Sequence, residues 1–201
     1  LPIWLLQDIN FVDVSSNAAR DVYRRLEERP SPHNLVSDTK SLRAVGADRS
    51  QGGTPPILFE RNDGDNQTQV SGIPVKGADL DYGSTLVQYR WDQNRWGWLR
   101  SQNGSPHSDV DGLQIAPEVV VIQIVSYARS AADGRSPEAV LVGTGRALLL
   151  FDGRLIEGTW ERSGAFDVTR YFDRDGNAVL FPRGTTWIAL PRVGQTRIIE
   201  N

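Results

Sequence analysis

The spacing of apolar residues changes character once along the chain. Near the start, Ala18, Ala19, Val22, Tyr23 and Leu26 recur at helical intervals behind Ser16 or Asn17, residue types that cap helix N-termini, and they predict a helix that Pro30 stops. Leu1-Pro2-Ile3-Trp4-Leu5-Leu6, ahead of it, reads as the end of a buried strand. Pro30-Ser31-Pro32 is an extended linker, and a shorter helix is predicted from Ser37 to Val45, ended by Gly46. The polar stretch Asp48 to Pro56, rich in Gly, Ser and Pro, marks a boundary. The expected division is therefore a first domain over residues 1–56 and a second over 57–201.

From Ile57 onward the period is two, and turn residues recur at short intervals, which predicts an antiparallel meander in place of βαβ units. Three hairpins are marked: Thr85 to Trp91 with Arg95 to Arg100 around Gln93-Asn94, Arg146 to Phe151 with Arg154 to Trp160 around Asp152-Gly153, and Thr169 to Asp173 with Asn177 to Phe181 around Asp175-Gly176. Asp-Gly supplies the positive φ that tight hairpin turns need. Glu118 to Tyr127 is almost unbroken apolar sequence, as in a central strand covered on both faces. Thr185 to Leu190 and Thr196 to Ile199 read as closing strands.

Composition narrows the class. With 201 residues and 39% hydrophobic content, the chain is long enough to build a substantial core. Twenty-two basic against 25 acidic residues give a net charge of -3, so there is no electrostatic footprint for nucleic acid. No run approaches the ~20 apolar residues of a membrane-spanning helix. Without cysteine there is no disulfide, thiolate nucleophile or Cys-type zinc site. The sequence opens at Leu1, so any signal peptide or lipid anchor is expected upstream.

Candidate chemistry is sparse. The only two histidines both follow proline, in Ser31-Pro32-His33-Asn34 and Ser105-Pro106-His107-Ser108-Asp109. His107 as a base oriented by Asp109, with His33 assisting, would suit a hydrolase, provided the two histidines converge. The bland alternative is a loop pinned by its own side chains. Neither histidine has metal-ligand spacing, the Asp-rich turns at Asp109-Val110-Asp111-Gly112 and Asp173-Arg174-Asp175-Gly176-Asn177 lack the EF-hand pattern, and Gly143-Thr144-Gly145 lacks the rest of a nucleotide-binding loop. No metal and no cofactor is expected. A two-residue turn at Gln93-Asn94 would set Trp91 opposite Trp96 and Tyr89 opposite Trp98, placing four rings on one face. That face is either core or an aromatic platform for a sugar or a partner protein.

Several segments together resemble the YerB-like lipoproteins, a family of unknown function from Gram-positive cell envelopes. Arg29-Pro30-Ser31-Pro32-His33-Asn34-Leu35 resembles the end of that family's N-terminal domain. Tyr89-Arg90, Pro106-His107-Ser108-Asp109, Leu113-Gln114-Ile115 and Val119-Val120-Val121 are similar to the first half of its C-terminal domain. Gly143-Thr144-Gly145, Gly158-Thr159-Trp160-Glu161-Arg162 and Gly184-Thr185-Thr186-Trp187 are similar to the second half. The chain departs from the family pattern at Glu118, where asparagine is expected, and in lacking the first part of the N-terminal domain.

The resemblance implies a β-rich α+β fold of antiparallel sheets packed in layers with a small helical layer. It also implies an exported, lipid-anchored protein outside the cytoplasmic membrane, with no established activity. Two functional readings follow. The first is a non-catalytic module or scaffold that binds a cell-wall glycan or an envelope protein through Tyr89, Trp91, Trp96 and Trp98. The second is a hydrolase of an envelope polymer working through His33, His107 and Asp109.

Overall fold

A computed structural model describes residues 20–31, 34–49, 59–61, 72–130, 134–165 and 167–201. The chain forms two compact units, Leu1–Pro55 and Pro56–Asn201.

In the first unit a 3-10 helix covers Arg20–Val22, and β1 (Arg24–Arg25) pairs antiparallel with β2 (Leu35–Val36). The helix expected to run to Pro30 is therefore replaced, in its described part, by a single turn and a short strand. The reason is local: Leu26 N–H donates to the Asn34 carbonyl and the Arg25 guanidinium donates to Asn34 Oδ1 at 2.5 Å, so backbone pairing across the proline turn wins over helical periodicity. The predicted start of that helix and the opening strand lie outside the described residues. The second helix forms as α1 (Thr39–Arg49), capped by Asp38, whose Oδ1 accepts from Ser41 N–H at 2.8 Å. It runs through Gly46, because one glycine inside a helix costs only about 1 kcal/mol and does not end it.

The second unit is nearly all strand, built on a ten-stranded sheet. In chain order come β3 (Ile73–Asp81), β4 (Leu86–Asp92), β5 (Gly97–Gln102), β6 (Ser105–Pro106), β7 (Val119–Gln123), β8 (Tyr127–Arg129), β9 (Pro137–Ala139), β10 (Gly143–Phe151), β11 (Arg154–Arg162), β12 (Arg170–Asp173), β13 (Thr186–Ala189) and β14 (Thr196–Glu200). The sheet runs β13-β7-β10-β11-β3-β4-β5-β6, with β12 added to β11 and β14 to β3, while β8 and β9 form a separate hairpin. The β-rich class expected from the sequence is what the chain adopts. Among the described strands every pair is antiparallel except β13 with β7, and the isolated bridges Phe59 to Thr169 and Arg61 to Phe181 are parallel. That parallel pair, which a simple meander does not contain, is started by Thr185: its N–H donates to Glu118 Oε2 at 2.6 Å and its carbonyl accepts from Val119 N–H.

The sheet curls so that β3, β4, β5 and β14 lie over one face of β7, β10 and β11. Leu80, Tyr89, Trp98, Val120, Ile122 and Leu150 are buried between them. A second core on the opposite face gathers Val119, Val121, Leu149, Trp160, Tyr171 and Phe181. Successive residues of β7 thus enter different cores, and all five are buried, which is why that segment reads as continuous apolar sequence. The Asp152-Gly153 hairpin closes as expected, with φ of 50° and 66° at its two turn residues.

Candidate functional site: a cleft around a buried arginine

The β4–β5 hairpin sets the site, and its register differs from the sequence expectation. Asp92 pairs with Gly97, Trp91 with Trp98 and Tyr89 with Arg100. The turn therefore holds four residues, not two. Neither Gln93 nor Asn94 takes the positive φ a two-residue turn requires; instead Asp92 Oδ1 accepts from the N–H groups of Asn94 and Arg95, and Trp96 sits at φ 49°.

Because the slip is two residues, the inward face keeps Tyr89, Trp91 and Trp98 but loses Trp96 to the loop tip. Trp98 and Tyr89 are fully buried, Trp91 is half-buried, and Trp96 is 55% exposed. The indoles still touch, with Trp91 5.1 Å from Trp98 and 5.7 Å from Trp96 between ring centroids. Most of the expected aromatic platform is core, and only Trp96 presents a broad surface to solvent.

Arg100 occupies the next inward position after Trp98. It is 7% exposed, yet among the described residues no carboxylate pairs with it. Its Nη1 donates to His107 Nδ1 and, at 3.4 Å, to Gln102 Oε1. Its Nε–H is buried without a partner. The guanidinium carbon stands 4.6 Å from the centroid of the Trp187 ring, and that indole meets His107 edge-on at 5.9 Å. Asp79 gives the contrast: this buried carboxylate is 2.6 Å from both Arg90 and Arg197. Burial alone would raise its pKa, and the bonds from Arg197 and Arg90 outweigh that, so it is held below the usual carboxylate value.

A cleft of about 460 Å³ opens over Arg100. One wall is Val87, Tyr89, Arg100 and Gln102 of β4 and β5. The other is Trp187 to Leu190 of β13 and the residue after it, with Tyr127, while Tyr82 and Thr85 lie beside them. The cleft sits where the curled sheet stays open: β13 pairs with β7 on one edge and, among the described residues, with no strand on the other. Burial pushes the Tyr89 hydroxyl up to about 12 despite Arg100 nearby, and that hydroxyl makes no hydrogen bond of good geometry. Tyr82 is also raised, first by burial and then by Tyr127. The Tyr127 hydroxyl donates to the Leu190 carbonyl at 2.7 Å. Near neutral pH Tyr82 and Tyr89 are therefore un-ionised donors beside a fixed positive charge.

The histidine reading meets different geometry. Arginine has no acceptor, so His107 Nδ1 must accept and its proton sits on Nε2. Burial, then Arg100, lowers the His107 pKa from 6.5. Asp109 Oδ1 accepts from the N–H groups of Asp111 and Leu113 and so holds its own loop together; no hydrogen bond joins it to His107. His33 lies outside the described residues. Among the described residues no three His, Cys, Asp or Glu side chains are grouped to hold a metal ion.

The model of the C-terminal domain of the protein of unknown function DUF3048 matches residues 78–188, more than half of the chain. The chain belongs to this family. The DUF3048 match contains Arg100, His107 and Trp187. The DUF3048 fold is also recognisable in the crystal structure of the YerB protein from Bacillus subtilis, with a TM-score of 0.70 and 23% identity over 89% of this chain. The aligned region is 60% of that protein, and the likeness at this identity is one of fold. No curated protein matches the chain. DUF3048 membership accounts for the β-rich architecture and carries no activity with it.

Reasoning from sequence missed Arg100, Tyr82, Tyr127 and Trp187. The signal for Arg100 was present: on a strand whose inward face carries Trp98, the residue two further on also faces inward, and a charge there is anomalous.

Proposed function

We propose that this chain is a non-catalytic binding module of the bacterial cell envelope, and that the cleft beside Arg100 is its contact surface. The observation that carries the reading is the cleft itself: it has the volume of a small-ligand site, rings on both walls, and polar groups in its lining. The setting of this reading is extracytoplasmic, with membrane attachment only through a lipid anchor. The occupant is a cell-wall polymer or an exposed part of an envelope protein. A net charge of -3 argues against nucleic acid.

The hydrolase alternative is weaker, because the His107 nitrogen that would be oriented by Asp109 is held by Arg100 instead. Sedimentation with purified wall sacculi tests the main reading. The unaltered chain should co-sediment, and the folded double variant Tyr82→Ala, Trp187→Ala should remain in solution. Equal sedimentation of the two would remove the cleft from the contact surface. Release of soluble fragments from sacculi, lost in His107→Ala, would restore the hydrolase.

A further inference from the structure

A positive charge that is nine-tenths buried is costly unless something offsets it. Among the described residues the other deeply buried charge, Asp79, has two arginines against it. Arg100 has a neutral histidine, an amide oxygen at long range and the face of an indole. The cation–π contact stabilises it in part, but a guanidinium presents five N–H groups and Nε–H is left with none of these partners. Arg100 lines the cleft, so an acceptor for its guanidinium can come from that side. Tyr89 lines the same cleft, and its buried hydroxyl lies against Arg100 without a hydrogen bond of good geometry.

Resting on the reading that the cleft is the contact surface, we infer that it selects a ligand bearing an oxyanion, a carboxylate or a phosphate, which pairs with Arg100 while its organic body lies between Trp187, Tyr82 and Tyr127. The chemistry fits in three respects. A planar guanidinium offers two parallel N–H bonds to an oxyanion, the geometry in which arginine exceeds lysine. The un-ionised Tyr89 hydroxyl can donate to the same group. The tautomer forced on His107 keeps that ring uncharged near neutral pH, so it does not compete with Arg100 for the anion. No bond is made or broken; binding neutralises the charge that folding leaves exposed to the cleft.

The test uses the full chain, labelled with 15N and observed through the indole N–H of Trp187, which Trp187→Phe assigns. Benzoate, phenyl phosphate and benzamide are the probes: each puts a ring between the aromatic walls, and benzamide has nearly the shape of benzoate without its charge. Benzoate or phenyl phosphate should shift the Trp187 signal saturably and bind at least about tenfold more tightly than benzamide, the increment expected of a charge-assisted bond. Preference for benzoate assigns a carboxylate ligand, and preference for phenyl phosphate assigns a phosphate. Arg100→Met should abolish the difference between charged and neutral probes.

Equal binding of benzoate and benzamide by the unaltered chain would overturn the inference, whether or not the variant folds. So would charge discrimination that survives in folded Arg100→Met. The two readings fail separately. Sacculi bound through the cleft, with benzoate and benzamide bound alike, would keep the contact surface and discard the anion. Discrimination by charge in a chain that ignores sacculi would keep the anion and discard the wall.

Discussion

Arg100 and His107 illustrate how one side chain sets the state of another. The ring is half-buried beside a permanent cation, so the folded protein holds off its protonation below the ordinary 6.5, with burial the larger cause. The unfolded chain takes up that proton near 6.5. Between the two values the unfolded state binds more protons, so stability falls as pH is lowered through this window, and the contribution is complete above 6.5. The urea midpoint should therefore drop between about pH 7.5 and about pH 5.5, and His107→Gln should flatten that part of the profile. An unchanged slope in the variant would assign the drop to other groups. The tryptophans give a second prediction at this scale. Trp98→Ala should lower stability by about 3–5 kcal/mol, the cost of emptying a fully buried ring site, while Trp96→Ala should change it by about 1 kcal/mol or less. Chemical denaturation of the two variants checks the ranking, and comparable losses would contradict the four-residue turn.

Among the elements, the sequence made plain those whose pattern is local. The Asp152-Gly153 hairpin needed only its two turn residues, and β7 only its unbroken apolar run. The β4–β5 hairpin was legible as a hairpin but not in register, because the loop length was decided by Asp92 capping its own turn and by Trp98 N–H reaching the Pro117 carbonyl. The helix before Pro30 failed for a related reason: a periodic stripe says nothing of a strand partner ten residues on. Interstrand packing also fixes glycines that no turn explains. A Cβ at Gly158 of β11 would lie 1.7 Å from the Phe172 carbonyl oxygen of β12. Gly158→Ala should cost about 2–3 kcal/mol by forcing those strands apart. Loss of amide protection along Arg170–Asp173 in hydrogen exchange would locate the damage, and full protection there would refute it.

For the molecule as a whole, the second unit is held by pairings between segments far apart in sequence, and these account for what could not be foreseen. The parallel partner of β7, the strand that covers the edge of β3, and the second wall of the cleft all come from the last part of the chain. No local pattern announces which strand a distant segment will join. Hence the β-rich class and the family were readable, while Arg100 stood in the sequence as one arginine among many until Trp187 was placed over it.

The position of β14 has a consequence in time. β3 presents the backbone of Val75 to Leu80 to Thr196–Glu200, so this edge has no partner until a segment far downstream in the sequence has been made. The slow steps of folding are those that close such long loops, and an exposed strand edge is an invitation to another chain meanwhile. A chain stopped before Thr196 should accumulate as insoluble material at high concentration, and supplying the peptide 194–201 during refolding should recover soluble protein. Nascent copies of this protein are thus exposed to mispairing until Thr196–Glu200 has docked, and a holdase bound to β3 is the kind of help they would need.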